Sequence, residues 1–179
     1  MTLLMHRALA AVVTLMFLPA GATAGENPSV VLQDRAARDF QEETLAGHSL
    51  QLSSLQGKVV LLNFWGIWCI PCREEVPELQ KMYEELRDRG LQIVGIEVGD
   101  EIETARKYVA QQALSYPIIL SETIAADYDI EVFPTNIIID RAGRIRHREE
   151  GYDGGTTQLL RGIIEQLLGQ EPSEPGDKP

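Results

Sequence analysis

Cysteine, histidine and basic residues are all scarce in this chain. Two cysteines and three histidines stand among 179 residues. Two thiols cannot build a disulfide-rich scaffold or close a four-cysteine zinc site. Sixteen Lys and Arg are set against 27 Asp and Glu, for a formal net charge of −11. The basic face that a nucleic-acid binder needs is therefore missing. Apolar runs long enough to cross a membrane are missing too. What is present is an ordinary apolar fraction, 44%, in a chain long enough to bury a proper core in one domain. That composition belongs to a folded globular protein rather than a disordered one.

The N-terminus reads as an address. Met1 to Arg7 holds one formal positive charge and no acid, and Ala8 to Leu18 is apolar apart from Thr14. Pro19-Ala20-Gly21 and the small-x-small pattern Ala22-Thr23-Ala24 follow. This is the three-part layout of a secretory signal peptide, expected over residues 1–24. The alternative is an uncleaved anchor, although the run falls short of the ~20 residues that span a bilayer. No cysteine follows it to carry a lipid. The expectation is export to the periplasm, where disulfides persist. Residues 25–38 read as a lead-in, 39–169 as the folded domain, and the proline-rich 170–179 as a disordered tail.

Within the domain, strand and helix patterns alternate. Phe40–Leu45 is a short strand and Ser49–Leu55 a turn region. Lys58–Trp65 (KVVLLNFW) is an apolar run of strand length between Gly57 and Gly66, as in a strand buried on both faces. Ile70–Arg89 has helical spacing, and Gly90 is its stop. Leu91–Val98 is a second buried strand, Glu101–Gln112 a helix, Pro117–Leu120 a short strand and Thr123–Tyr128 a short helix. Asn136–Asp140, the turn Arg141-Ala142-Gly143 and Arg144–Glu149 form a hairpin. Its second strand is charged enough to suit a sheet edge or a partly solvated strand. Thr156–Leu168 is a final amphipathic helix. Such alternation predicts an α/β domain with helices on both faces of a central mixed sheet.

Both cysteines fall in one motif, Trp68-Cys69-Ile70-Pro71-Cys72, between a buried strand and a long helix. Unpaired N–H groups and the helix dipole favour negative charge there, and the thiolate is the attacking species in disulfide exchange. Pro71 suits a first helical turn. Cys72 is spaced to attack a mixed disulfide formed on Cys69. A structural bridge would close only a four-residue loop and remove little chain entropy. Haem attachment needs a His where Arg73 stands, and zinc lacks two further ligands, since His48 and His147 are not at ligand spacing. A redox-active pair is the leading reading. A Cu(I)-binding assembly factor using the same two thiolates is the alternative, with no methionine cluster or third cysteine to help. A peroxidase of a related fold is a weaker third, because of the CxxC spacing.

Asn63 to Pro77, NFWGIWCIPCREEVP, resembles the active-site signature NFWAxWCxPCRxExP of the TlpA/ResA-like branch of the thioredoxin superfamily. Gly66 replaces the usual Ala, a small-for-small change. Val132-Phe133-Pro134-Thr135-Asn136, followed by IIIDRAGRI, is similar to that family's proline loop, strand and hairpin. The resemblance runs from about Asp39 to Leu168, and Glu101–Leu120 matches a helix–strand unit inserted into the thioredoxin core. It implies a thioredoxin-like fold with an N-terminal extension. It implies Cys69 as nucleophile, Cys72 as resolving cysteine and Pro134 as a cis-proline facing the pair. Phe133 would pair its backbone with an extended substrate, and Trp68 would be the aromatic residue beside the site. Glu75 stands one helical turn beyond Cys72, where this branch has an acid. Asn63 stands where cytoplasmic thioredoxins have a buried Asp. The expectation is a partly buried Glu75 that moves protons to or from Cys72 and raises the thiol pKa values when ionised. Pro77 should kink the helix.

Ile70 and Pro71 between the cysteines add no cation to favour the thiolate. The expected potential is nearer the ~−270 mV of thioredoxin than the ~−120 mV of DsbA. An exported reductant must be recharged, and the resemblance implies a membrane thiol transporter of the CcdA/DsbD type as electron donor. Clients would be proteins with a disulfide or thiol pair, in cytochrome c maturation or cytochrome oxidase assembly. No cofactor and no nucleic-acid partner are expected, and the chain is expected to act as a monomer.

Overall fold

In a computed structural model, which describes residues 35–170, the elements follow in this order. They are β1 (Arg35–Ala36), β2 (Gln41–Glu43), β3 (Ser49–Gln51), a 3-10 turn at Leu52–Leu55, β4 (Val59–Trp65), α1 (Ile70–Leu86), a 3-10 turn at Arg87–Arg89, β5 (Leu91–Glu97), α2 (Ile102–Gln111), β6 (Ile118–Leu120), α3 (Glu122–Asp127), β7 (Thr135–Ile139), β8 (Arg144–Glu150) and α4 (Thr156–Leu168). The main sheet has the order β1-β8-β7-β4-β5-β6. Strands β4, β5 and β6 run parallel, and β7, β8 and β1 join antiparallel. This is the expected mixed sheet, with helices on both faces.

The two faces follow from the period of a strand. In β4, Val59, Leu61 and Trp65 pack with Val76, Leu79 and Met82 of α1 and Leu160 and Ile164 of α4. The alternate residues Val60, Leu62 and Phe64 pack with Ile124 and Ala125 of α3. All seven residues of β4 and all seven of β5 are buried, as the largely apolar runs require. Gly90, with φ of 106°, closes the turn between α1 and β5, a conformation that glycine adopts at little cost. Pro77 lies inside α1 without ending it.

Two expectations need correction. Strand β8 is partly solvated, the second of the two readings its charge allowed, and it is not the outermost strand at its start. Arg35 and Ala36 pair with Ile145 and Arg144 on its outer side, so part of the stretch read as a lead-in belongs to the sheet. Its charged side chains are met instead by partners beside it, with Arg146 on Asp140 at 2.6 Å and Arg148 on Glu150 at 2.8 Å. Ser49–Leu55 is not simply a turn, since β3 pairs with β2 in a small separate hairpin before the 3-10 turn begins. Both strands are short and largely exposed, so no alternation of apolar residues announces them. The expected signal peptide at 1–24 lies outside the described residues, as does the tail beyond Gln170. Among the described residues no helix is long and apolar enough to cross a membrane.

Candidate active site

The carboxyl ends of β4 and β5 carry the site. After Trp65 the chain turns through Gly66–Trp68, and Cys69 becomes the N-cap of α1. Its Sγ accepts the Cys72 N–H at 3.3 Å, so it sits where unpaired backbone donors favour a thiolate. The two cysteines form a disulfide, with Cα atoms 5.3 Å apart. Cys69 keeps 5% exposure and Cys72 none. That asymmetry suits an attacking sulfur in front and a resolving one behind.

The register of the sheet brings the proline loop to the pair. Thr135, the first residue of β7, lies opposite Phe64, so Pro134 is level with Trp65 at the start of the active-site turn. The Phe133–Pro134 bond is cis. Phe133 meets Trp68 edge to face, with ring centroids 5.2 Å apart. Trp68 is 56% and Ile70 63% exposed, so an apolar rim surrounds the disulfide. Trp68 is thus a surface residue and not a core tryptophan. Its indole N–H donates to the Val98 carbonyl at 2.8 Å.

Glu75 lies deeper than expected, fully buried rather than partly so. Strand alternation explains what holds it. Asn63 stands between Leu61 and Trp65 on the face that α1 covers, and Asn136 is its cross-strand partner on β7. Asn63 Nδ2 donates to Glu75 Oε2 at 3.0 Å and to Asn136 Oδ1 at 2.9 Å. Asn136 Nδ2 donates to Glu75 Oε1 at 2.7 Å. Burial pushes the Glu75 carboxyl up to about 7, against the pull of the Asn136 and Asn63 hydrogen bonds, with the charge of Glu78 adding to the rise. Near neutral pH it can therefore hold or release a proton. The substitution of Asn63 for a buried acid does not empty that position chemically, because its amide now orients the acid on α1.

Sequence reasoning assigned no role to Asn136, Glu97 or Asp100. The signal for the first two was a polar residue inside an otherwise apolar strand, in NIII and in LQIVGIE. Asp100 Oδ2 accepts the Ile67 N–H at 2.9 Å and so ties the active-site turn to the loop after β5. Glu97 is buried, and burial with the Asp100 side chain and its charge carries its carboxyl up to about 8, against the Asp100 N–H. Gly66 also proves more than a small residue in place of another. A Cβ there would collide with the Trp68 indole at Nε1 and Cε2. Among the described residues no three His, Cys, Asp or Glu side chains are grouped to hold a metal ion.

The AhpC/TSA family matches residues 34–148 of the chain. The thiol-disulfide oxidoreductase ResA of Halalkalibacterium halodurans is 34% identical over 131 residues, 72% of this chain and 73% of that protein. A Chlorobium tepidum structure assigned as the thiol:disulfide interchange protein DsbE aligns with a TM-score of 0.72 at 28% identity, over 79% of this chain and 100% of the other. A secreted thiol-disulfide isomerase from Corynebacterium glutamicum aligns with a TM-score of 0.68 at 28% identity, over 74% and 85% of the two chains.

Proposed function

The chain belongs to the AhpC/TSA family and is a thioredoxin-like thiol–disulfide oxidoreductase of the ResA kind, and on that premise we propose that it works as an exported reductant of protein disulfides. The observation that carries this reading is a Cys69–Cys72 disulfide that reaches solvent only through Cys69, with a fully buried, protonable Glu75 one helical turn behind it. In the reduced protein the Cys69 thiolate attacks a client disulfide. A mixed disulfide forms, and the first client sulfur leaves as a thiolate that takes up a proton. Glu75 accepts the Cys72 proton, and the Cys72 thiolate attacks Cys69 Sγ. The second client thiolate leaves and takes up the proton held by Glu75, and the internal disulfide is restored. Two electrons and two protons have passed to the client.

Trp68, Ile70 and Phe133 form the apolar rim against which the client segment lies, and the backbone of Phe133 beside Pro134 pairs with it. The chain acts in the periplasm and is recharged by a membrane thiol transporter of the CcdA/DsbD type. Its clients are the thiol pairs of cytochrome c maturation or cytochrome oxidase assembly. The secreted relative supports export, and the absence of a cation between the cysteines supports the reducing direction. Redox equilibration with glutathione or dithiothreitol tests this. A potential near the ~−270 mV of thioredoxin is expected, and one near the ~−120 mV of DsbA makes the protein an oxidant instead. A Cys72→Ala variant leaves the mixed disulfide on Cys69 unresolved, so the client it retains identifies the pathway.

A further inference from the structure

Glu97 is a buried acid that the dithiol chemistry leaves unused. It ends β5, level with Trp65 on one side and Leu120 on the other, and it has 0% exposure. Neither of its carboxyl oxygens has a hydrogen-bond partner within the usual range, and the Asp100 N–H acts on it only from farther off. A carboxylate buried without donors is strongly disfavoured, so it must find a cation or keep its proton. No cation is at hand. The ionisable groups lining the cavity at this end of β5 are Glu97, Asp100, Glu101 and Glu122, with no Lys, Arg or His among them. The neighbour that interacts with Glu97 through its side chain is Asp100. Two adjacent carboxyls can hydrogen-bond only if one of them donates a proton to the other.

Asp100 is also a fastening point of the active site. Its Oδ2 accepts the Ile67 N–H at 2.9 Å. Trp68 Nε1 donates to Val98 O at 2.8 Å, and Val98 N donates to Trp65 O at 2.9 Å. The turn Gly66–Trp68, which leads straight into Cys69, is thus held on the loop Val98–Asp100. One of its ties depends on the position of the Asp100 carboxylate.

We propose that Glu97 and Asp100 share one proton and form a pH-sensitive fastening for the turn ahead of Cys69, with both acting as positioning residues. With the proton present, the Glu97 O–H donates to Asp100, and Oδ2 of Asp100 stays on the Ile67 N–H. With the proton gone, two carboxylates face each other beside two further acids. The repulsion falls on the Asp100–Ile67 contact, and an added negative charge near the turn disfavours the Cys69 thiolate. Burial places this transition at the alkaline end of the neutral range, where the Glu97 carboxyl titrates at about 8.

The proposal rests on Cys69 being the attacking thiol, and two readouts keep it separable from that reading. In the oxidised full chain no thiol titrates, so the Ile67 amide resonance is followed by NMR from pH 6 to 9.5. It is expected to move with a midpoint near 8 in the wild type and to stay flat in Glu97→Gln. In the reduced protein, the Cys69 alkylation rate of Glu97→Gln relative to wild type should rise as Glu97 ionises, toward a limit of about threefold set by half a pKa unit on the thiol below its own pKa. Asp100→Asn keeps the side-chain shape and should also abolish the Ile67 titration, which covers a Glu97 variant that does not fold. A flat Ile67 resonance in the wild type, a titration that persists in both variants, or a pH-independent rate ratio overturns the fastening. Insulin reduction by the wild type tests the dithiol reading by itself. Loss of that activity with an intact Ile67 titration overturns the reading and leaves the carboxyl pair standing.

Discussion

At the scale of single residues, Glu75 and Gly66 make the sharpest tests. Glu75 is enclosed by two strand asparagines on the helix face behind Cys72. Glu75→Gln removes a group able to move a proton and keeps its shape. Disulfide reduction at pH 7 should slow on the order of 100-fold, the lower end of general acid–base effects. The step near 7 in its pH profile should vanish, and an unchanged profile removes Glu75 from proton transfer. At Gly66 the sequence invited the wrong inference, because Ala for Gly is a small change only where space allows. The Trp68 indole lies over that Cα. Gly66→Ala should lift the ring, break its bond to Val98 and raise iodide quenching of its fluorescence, with ~1 kcal/mol or less lost from stability. Trp65, fully buried, serves as the protected control. The cysteine pair and its neighbours were legible because their chemistry depends on spacing along the chain. Asn136, Glu97 and Asp100 were not, because their partners come from strand register and from loops apart in sequence.

At the scale of elements, burial in the sheet was plain in the sequence and pairing at its margins was not. Strands β4 and β5 show as long apolar runs because both faces are covered. Strand β1 is two exposed residues, defined by a neighbour rather than by any pattern of its own. The inserted α2–β6 unit is attached to α1 by a reciprocal pair. Gln80 Nε2 donates to Ser115 Oγ at 2.9 Å, and Ser115 N donates to Gln80 Oε1 at 2.9 Å. Gln80→Ala leaves a partly buried N–H unmet and should cost about 1–3 kcal/mol. Urea unfolding of the oxidised protein reads this directly, and an unchanged midpoint denies the pair a structural role. The disulfide should remain equally exchangeable, since neither residue borders it.

At the scale of the whole molecule, two buried acids shape the dependence of stability on pH. Glu75 rises from 4.5 to about 7 and Glu97 from 4.5 to about 8, so the folded state binds protons that the unfolded chain has released. Their contribution is fully present below about 4.5 and is lost as pH rises through 7 and 8. For Glu75 alone the loss is about 3 kcal/mol. Glu75→Gln and Glu97→Gln should each flatten the decline of stability between pH 5 and 8 in denaturant titrations of the oxidised protein. Parallel curves for wild type and variants would exclude such linkage. The arrangement of β1 has a consequence of another kind. It pairs with the first residues of β8, and β8 runs in the same sense as β4, whose far end leads to the disulfide. Being antiparallel, β1 covers the end of β8 far from the cysteines, where Ala37 N also donates to Gly143 O at 2.9 Å. A cut in the loop between β1 and β2 would therefore loosen that far end of the hairpin and leave the turn ahead of Cys69 in place.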